Sequence, residues 1–125
     1  PAAADMMAAS IEHYFKGKRL IYIMGVFADK DYRSVIEKTA HFADQILTIQ
    51  TPDNVRALPA EELAEAVSEY NPNVQAMHTI ADAVEKAFEL VGEEDVIIAF
   101  GSLSFIGKMT DIVEEHKKFQ KSKKE

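Results

Sequence analysis

The sequence predicts a three-layer α/β domain on a mainly parallel sheet of four strands, ordered 3-2-1-4. Three observations carry the prediction. Strand-like segments alternate with helical stretches of about ten to fifteen residues, which calls for right-handed crossovers between parallel strands. The run Arg19-Leu20-Ile21-Tyr22-Ile23-Met24 is nearly all apolar, as a strand covered on both faces would be. The chain has 125 residues and is 47% hydrophobic, enough for one core and too little for a second domain of useful size.

Each element follows from its residues. Ala2 to Phe15 sets Met6, Ile11, Tyr14 and Phe15 among Asp5, Ser10, Glu12 and His13, an amphipathic helical pattern. Pro1 stands where a helix start tolerates proline, and Met6 and Met7 are expected at the edge of the core. Gly17 ends this helix, and the first strand is the apolar run above. Asp31 to Ala40 reads as helix, with Val35 and Ile36 inward and Arg33, Glu37 and Lys38 outward. Gln45 to Ile49 is the second strand, closed by the turn cluster Thr51-Pro52-Asp53-Asn54.

Pro59 opens the third helix, with Glu61 and Glu62 at the positive end of its dipole. Asn71-Pro72-Asn73 breaks it ahead of the short third strand, Val74 to Met77. Thr79 caps a helix from Ile80 to Val91, and Gly92 stops it. Asp95 to Phe100 is the last strand, and Gly101-Ser102 leads into a fifth helix reaching about His116. The charged tail Lys117 to Glu125 follows. The early crossovers run to one side of the first strand and the last strand returns to its other side, which creates a switch point in the sheet.

Composition removes several classes of function. A net charge of −7 and a pI near 5.1 argue against general affinity for nucleic acid phosphates. With no cysteine, disulfides, thiolate metal sites and thiol nucleophiles are excluded, in keeping with a cytoplasmic protein. No apolar stretch approaches the ~18–20 residues that span a bilayer, so no membrane partner is expected. The first residues also lack the basic and then apolar order of a signal peptide. His13, His41, His78 and His116 fall on different elements without metal-ligand spacing, so no metal site is assigned. No Ser-His-Asp set or carboxylate pair can be assembled, and no catalytic residue is assigned.

In open α/β sheets, ligands bind beyond the carboxyl ends of the strands, near the switch point. Three loops meet that description: Gly25 to Tyr32, Thr51 to Arg56, and Phe100 to Gly107. In the first, either Asp29 or Asp31 caps the following helix while Lys30 is solvated, or Lys30 reaches an anionic ligand as a compact point charge. In the last, either Ser102 is only an N-cap, or its hydroxyl joins free backbone N–H groups in an anion site. Gly101 to Gly107 is not a phosphate-binding P-loop, because the Gly-Lys-Ser/Thr ending is missing. Arg56 is either an exposed surface arginine or a two-pronged donor to a carboxylate.

At these residues a resemblance appears. Leu20 to Met24 followed by Gly25-Val26-Phe27-Ala28-Asp29-Lys30-Asp31-Tyr32 resembles the strand and loop of folylpolyglutamate synthases, which read Gly-Val and then Asp-Lys-Asp-Tyr. Phe100-Gly101-Ser102-Leu103 is similar to the Gly-Ser-Leu after that family's last strand, and Arg56-Ala57-Leu58-Pro59-Ala60-Glu61-Glu62-Leu63 also looks like it. The segments occur in order and cover nearly the whole chain.

The resemblance implies that residues 1–125 are the Rossmann-like C-terminal, glutamate-ligase domain of a folylpolyglutamate or dihydrofolate synthase, within the Mur ligase superfamily. Its partner is an N-terminal ATP-binding domain that holds ATP and Mg2+. Such enzymes phosphorylate a carboxylate of folate or dihydropteroate, and the amine of glutamate then attacks the acyl phosphate. The C-terminal domain closes over the nucleotide and helps hold glutamate. Lys30, Asp31, Arg56 and Ser102 are the substrate-binding residues implied. Asp53-Asn54-Val55-Arg56 is also similar to the Asp-Asn-Pro-Arg of muramyl peptide ligases, whose arginine holds an amino-acid carboxylate; here Val55 replaces the proline. The family's Asp-Gly-Ala-His-Asn, P-loop and magnesium ligands do not occur in the chain, so it is expected to be a fragment that is inactive alone. Two readings compete with this one: a ligase domain for a cell-wall precursor, and a free-standing binding module of the same fold.

Overall fold

Leu20–Met24 (β1) is apolar at every position and buried at every position, so it must sit where the sheet is covered on both faces. The computed structural model, which describes residues 2–29, 31–52 and 55–101, puts it there. The elements run α1 (Ala2–Phe15), β1, α2 (Tyr32–Thr39), a 3-10 turn (Ala40–Phe42), β2 (Gln45–Thr48), α3 (Ala60–Ser68), β3 (Val74–Ala76), α4 (Ile80–Leu90) and β4 (Val96–Phe100). The sheet order is β3-β2-β1-β4 with every pair parallel, as the sequence predicts. Ile21 lies opposite Gln45 and Ile97, and Met24 opposite Thr48 and Phe100, so β1, β2 and β4 end at one level.

The period of two along β1 divides the core. Leu20, Tyr22 and Met24 pack with Ile11, Ile36, Leu63 and Val67 from α1, α2 and α3. Ile21 and Ile23 pack on the opposite face with Ile80, Ala83, Val84 and Ala87 of α4. Each fully buried Ile, Leu or Val contributes about 1.5–3 kcal/mol relative to exposure, so the two clusters hold the layers together. The polar side chains of Tyr22, Thr48 and Asn71 are matched inside. The Tyr22 hydroxyl donates to Thr39 O at 2.8 Å, and Thr48 Oγ1 donates to Ala60 O at 2.8 Å, tying β2 to the start of α3. Asn71 donates from Nδ2 to Ala40 O and Ala43 O, both at 2.9 Å, and accepts from Asn73 N.

Local signals act as their chemistry requires. Gly17, at φ 80°, turns the chain out of α1, and Thr79 accepts from Asp82 N at the start of α4. One expectation needs correcting. The apolar stripe of α1 is Ala4, Met7, Ile11 and Phe15, whereas Met6 and Tyr14 are 69% and 72% exposed. At about 100° per residue, the line through Ile11 that meets the sheet and α2 passes close to Met7, and Met6 is turned about 100° away from Met7 toward solvent. The Asp5–Lys38 ion pair at 2.8 Å joins the outer edges of α1 and α2. The fifth helix and the charged tail expected after Gly101 lie outside the described residues. Among the described residues, no helix is long and apolar enough to cross a membrane.

Candidate functional site at the carboxyl edge of the sheet

Parallel strands that end together deliver their loops to one edge. Gly25 N donates to Phe100 O at 2.9 Å and Ile49 N to Met24 O at 2.9 Å, so the exits of β4, β1 and β2 are stitched side by side. Close approach requires glycine at position 25. A Cβ there would lie 2.5 Å from Ile49 Cδ1 and 3.2 Å from Thr51 Oγ1. Thr51 is 2% exposed, and its hydroxyl has no hydrogen-bond partner among the described residues.

The loops after β1 and β2 are themselves joined. Phe27 and Ala57 form an antiparallel bridge, with Ala28 N donating to Arg56 O at 2.7 Å and Leu58 N to Val26 O at 3.0 Å. The Arg56 guanidinium stands over the Phe27 ring, 4.6 Å from its centroid, and pairs with Asp29 at 3.2 Å. Both charged side chains are about half exposed. Asp31 is the N-cap of α2: it accepts from Ser34 N at 3.3 Å and from Ser34 Oγ at 2.7 Å. The hydrogen bonds from the Ser34 side chain and backbone hold its carboxyl below the usual aspartate value.

A cleft of about 400 Å³ opens between these loops and α1. Met7, Val26, Phe27, Tyr32, Val35 and Phe100 make its walls mainly apolar, while Asp31, Thr51, Gly25 and Gly101 supply polar groups. Of the residues singled out from the sequence, Asp31 lines the cleft, and Arg56 is held against Phe27 beside it. Lys30, Ser102, Asp53 and Asn54 lie outside the described residues. Their sequence neighbours Asp29, Asp31, Pro52 and Gly101 belong to the loops at this edge. Sequence reasoning missed Phe27 as the platform for Arg56, because the contact joins residues far apart in the chain. It also missed the buried Thr51 hydroxyl, which reads in the sequence only as part of a turn.

No three His, Asp or Glu side chains converge among the described residues, and the sequence has no Gly-Lys-Ser/Thr loop. His13 meets Tyr14 edge to face, and His41 lies tilted against Phe42.

A parallel sheet covered on both faces, with a cleft at its switch point, defines an α/β domain whose candidate site is that cleft. The chain belongs to the Mur ligase family's glutamate ligase domains, whose family model matches residues 1–103. A search of curated proteins finds no match. Among solved structures, the chain is similar to Mycobacterium tuberculosis folylpolyglutamate synthase complexed with ADP and AMPPCP, at 26% identity and a TM-score of 0.75. That match covers 86% of this chain and 26% of the other. It is also similar to E. coli FolC in complex with ADP, at 19% identity and a TM-score of 0.80, over 94% of this chain and 28% of that one. Folylpolyglutamate synthase from Thermotoga maritima shares the fold at 22% identity and a TM-score of 0.70, over 89% and 25%. The chain thus spans about a quarter of the length of the solved proteins it matches. The resemblance to folylpolyglutamate synthases read from the sequence holds in the structure.

Proposed function

We propose that this chain is the amino-acid-holding domain of an ATP-dependent ligase that adds glutamate to a folate or dihydropteroate carboxyl group. The observation that carries the reading is the adjacency of the β1 and β4 exits, Gly25 beside Phe100, in a domain of the glutamate ligase family. That adjacency makes the sequence neighbours Lys30 and Ser102 candidates for one carboxylate. An ammonium and a hydroxyl beside backbone N–H groups suit an acidic amino acid. ATP and Mg2+ belong, on this reading, to the part of the larger enzyme that this chain does not span. The 26% identity to M. tuberculosis folylpolyglutamate synthase, beyond the shared fold, supports the folate branch over a cell-wall ligase. The work of this domain is to fix the amine donor by its carboxylate and to leave the amine free to attack.

The test is steady-state kinetics on a ligase containing this domain, with glutamate and ATP varied separately. Lys30→Ala or Ser102→Ala should each raise the glutamate KM by roughly ten- to a hundredfold, the loss of one charge-assisted contact of about 1.5–3 kcal/mol. The ATP KM should move far less. Unchanged glutamate kinetics in both variants would return these residues to the role of helix-start groups.

A further inference from the structure

We propose that Arg56 is a positioning residue: with Phe27 and Asp29 it clamps the β1 loop, and it acts on bound substrate through that loop rather than as a carboxylate ligand. The geometry separates the two roles. A guanidinium poised for a ligand would keep its face and fork open to the cleft. Here one face lies on the Phe27 ring at 4.6 Å, and Nη1 is paired with Asp29 at 3.2 Å. The same two loops are joined by the Phe27–Ala57 bridge and its hydrogen bonds of 2.7 and 3.0 Å. Side-chain stacking, ion pair and backbone bridge thus share one pair of loops.

The clamp sits where it fixes an approach angle. Phe27 also lines the cleft, so the residue whose ring carries Arg56 belongs to the cleft wall. Asp31, on the far side of position 30, is fixed separately by Ser34 at the start of α2. The residues flanking Lys30 in the chain are therefore each anchored, one side by Arg56 and the other by a helix cap. An ion pair this exposed contributes little alone; the ring contact and the bridge give the arrangement its cooperativity.

This inference stands apart from the glutamate reading, because its first test needs no ligand. Amide hydrogen exchange on the full chain should show Ala28 and Leu58 exchanging roughly three- to thirtyfold faster in Arg56→Ala and Phe27→Leu. Amides of β1 should be unaffected, and Phe27→Tyr, which keeps an aromatic ring at this position, should exchange like the parent. Parental exchange in both Arg56→Ala and Phe27→Leu would overturn the clamp, even if the domain binds glutamate. The second test is the sign of Asp29→Asn in the complete ligase. A positioning role predicts a higher glutamate KM, because the clamp loosens, with kcat at saturation little changed. A lower KM would mean that Asp29 had been competing with substrate for Arg56, and would make Arg56 a direct ligand.

Discussion

Gly25→Ala perturbs the floor of the site by one methyl group, and the structure says what that methyl meets. Its Cβ would fall 2.5 Å from Ile49 Cδ1 and 3.3 Å from Ile49 Cγ1. Carbon atoms pack best at about 3.5–4.0 Å, so the overlap is about 1 Å. Ile49 is 1% exposed and packed in the cluster of Ile21, Ile23, Leu47 and Val84, which leaves its δ-methyl little space to swing. Overpacking of this kind costs about 1–3 kcal/mol. Alanine restricts the unfolded chain and returns about 0.4–1 kcal/mol, so the net loss is roughly 0–2.6 kcal/mol. The δ-methyl is the contact responsible, which makes Ile49→Val the specific remedy. Alone, that change costs about 0.5–1.5 kcal/mol. Combined with Gly25→Ala, it should give a double variant about 1 kcal/mol or more better than the sum of the two. Urea unfolding followed by circular dichroism measures all four proteins at a common slope. Additivity within about 0.5 kcal/mol would refute the claim that Gly25 is required by contact with Ile49.

Asn71→Ala strips partners from two buried carbonyls and one N–H, and should lower stability by about 2–4 kcal/mol in the same urea assay. Burial pushes the Tyr22 phenol well above its ordinary value of 10.0, so stability present below that value should fall as pH rises past it. Tyr22→Phe should lose about 1 kcal/mol at neutral pH and flatten that alkaline decline in a series of melting temperatures. At acid pH the sign reverses. Asp31, bonded to Ser34, and Asp95, bonded to Gly92 N and Arg19, both titrate below 3.8 in the folded chain. The stability they add is complete above 3.8 and lost as pH falls through their lower folded values. Asp31→Asn should reduce the acid slope of the melting temperature.

Local chemistry made most of the fold legible. The apolar run of β1 identified the central strand, and the order of crossovers placed β4 against it, as the pairing of Met24 with Phe100 bears out. Glycine at 17 and threonine at 79 marked helix ends because their conformational and capping preferences need only neighbouring residues. The stripe of α1 was less readable. Met6 and Met7 are equally apolar, and only the position of α2 and the sheet decides that Met7 turns inward. Asp29 and Asp31 were equivalent caps in the sequence. The structure separates them, giving Ser34 to Asp31 and Arg56 to Asp29.

The same distinction explains why the candidate site was legible as loops but not as contacts. Strand order alone brings the exits of β1 and β4 together, and strand order follows from the alternation of elements. Which side chain rests on which depends on where the loop after β2 folds back, and residues 27 and 56 carry no mutual periodicity. Arg56 illustrates the consequence. By residue type it suited a carboxylate of the substrate, and the resemblance to muramyl peptide ligases favoured that use. Its place over Phe27, with Asp29 already at its Nη1, gives the same chemistry an internal partner. A substrate carboxylate would have to share the guanidinium with Asp29 while the ring contact and the backbone bridge stayed in place. The direction in which Asp29→Asn moves the glutamate KM therefore reads out whether this loop pair is a ligand or the frame that holds one.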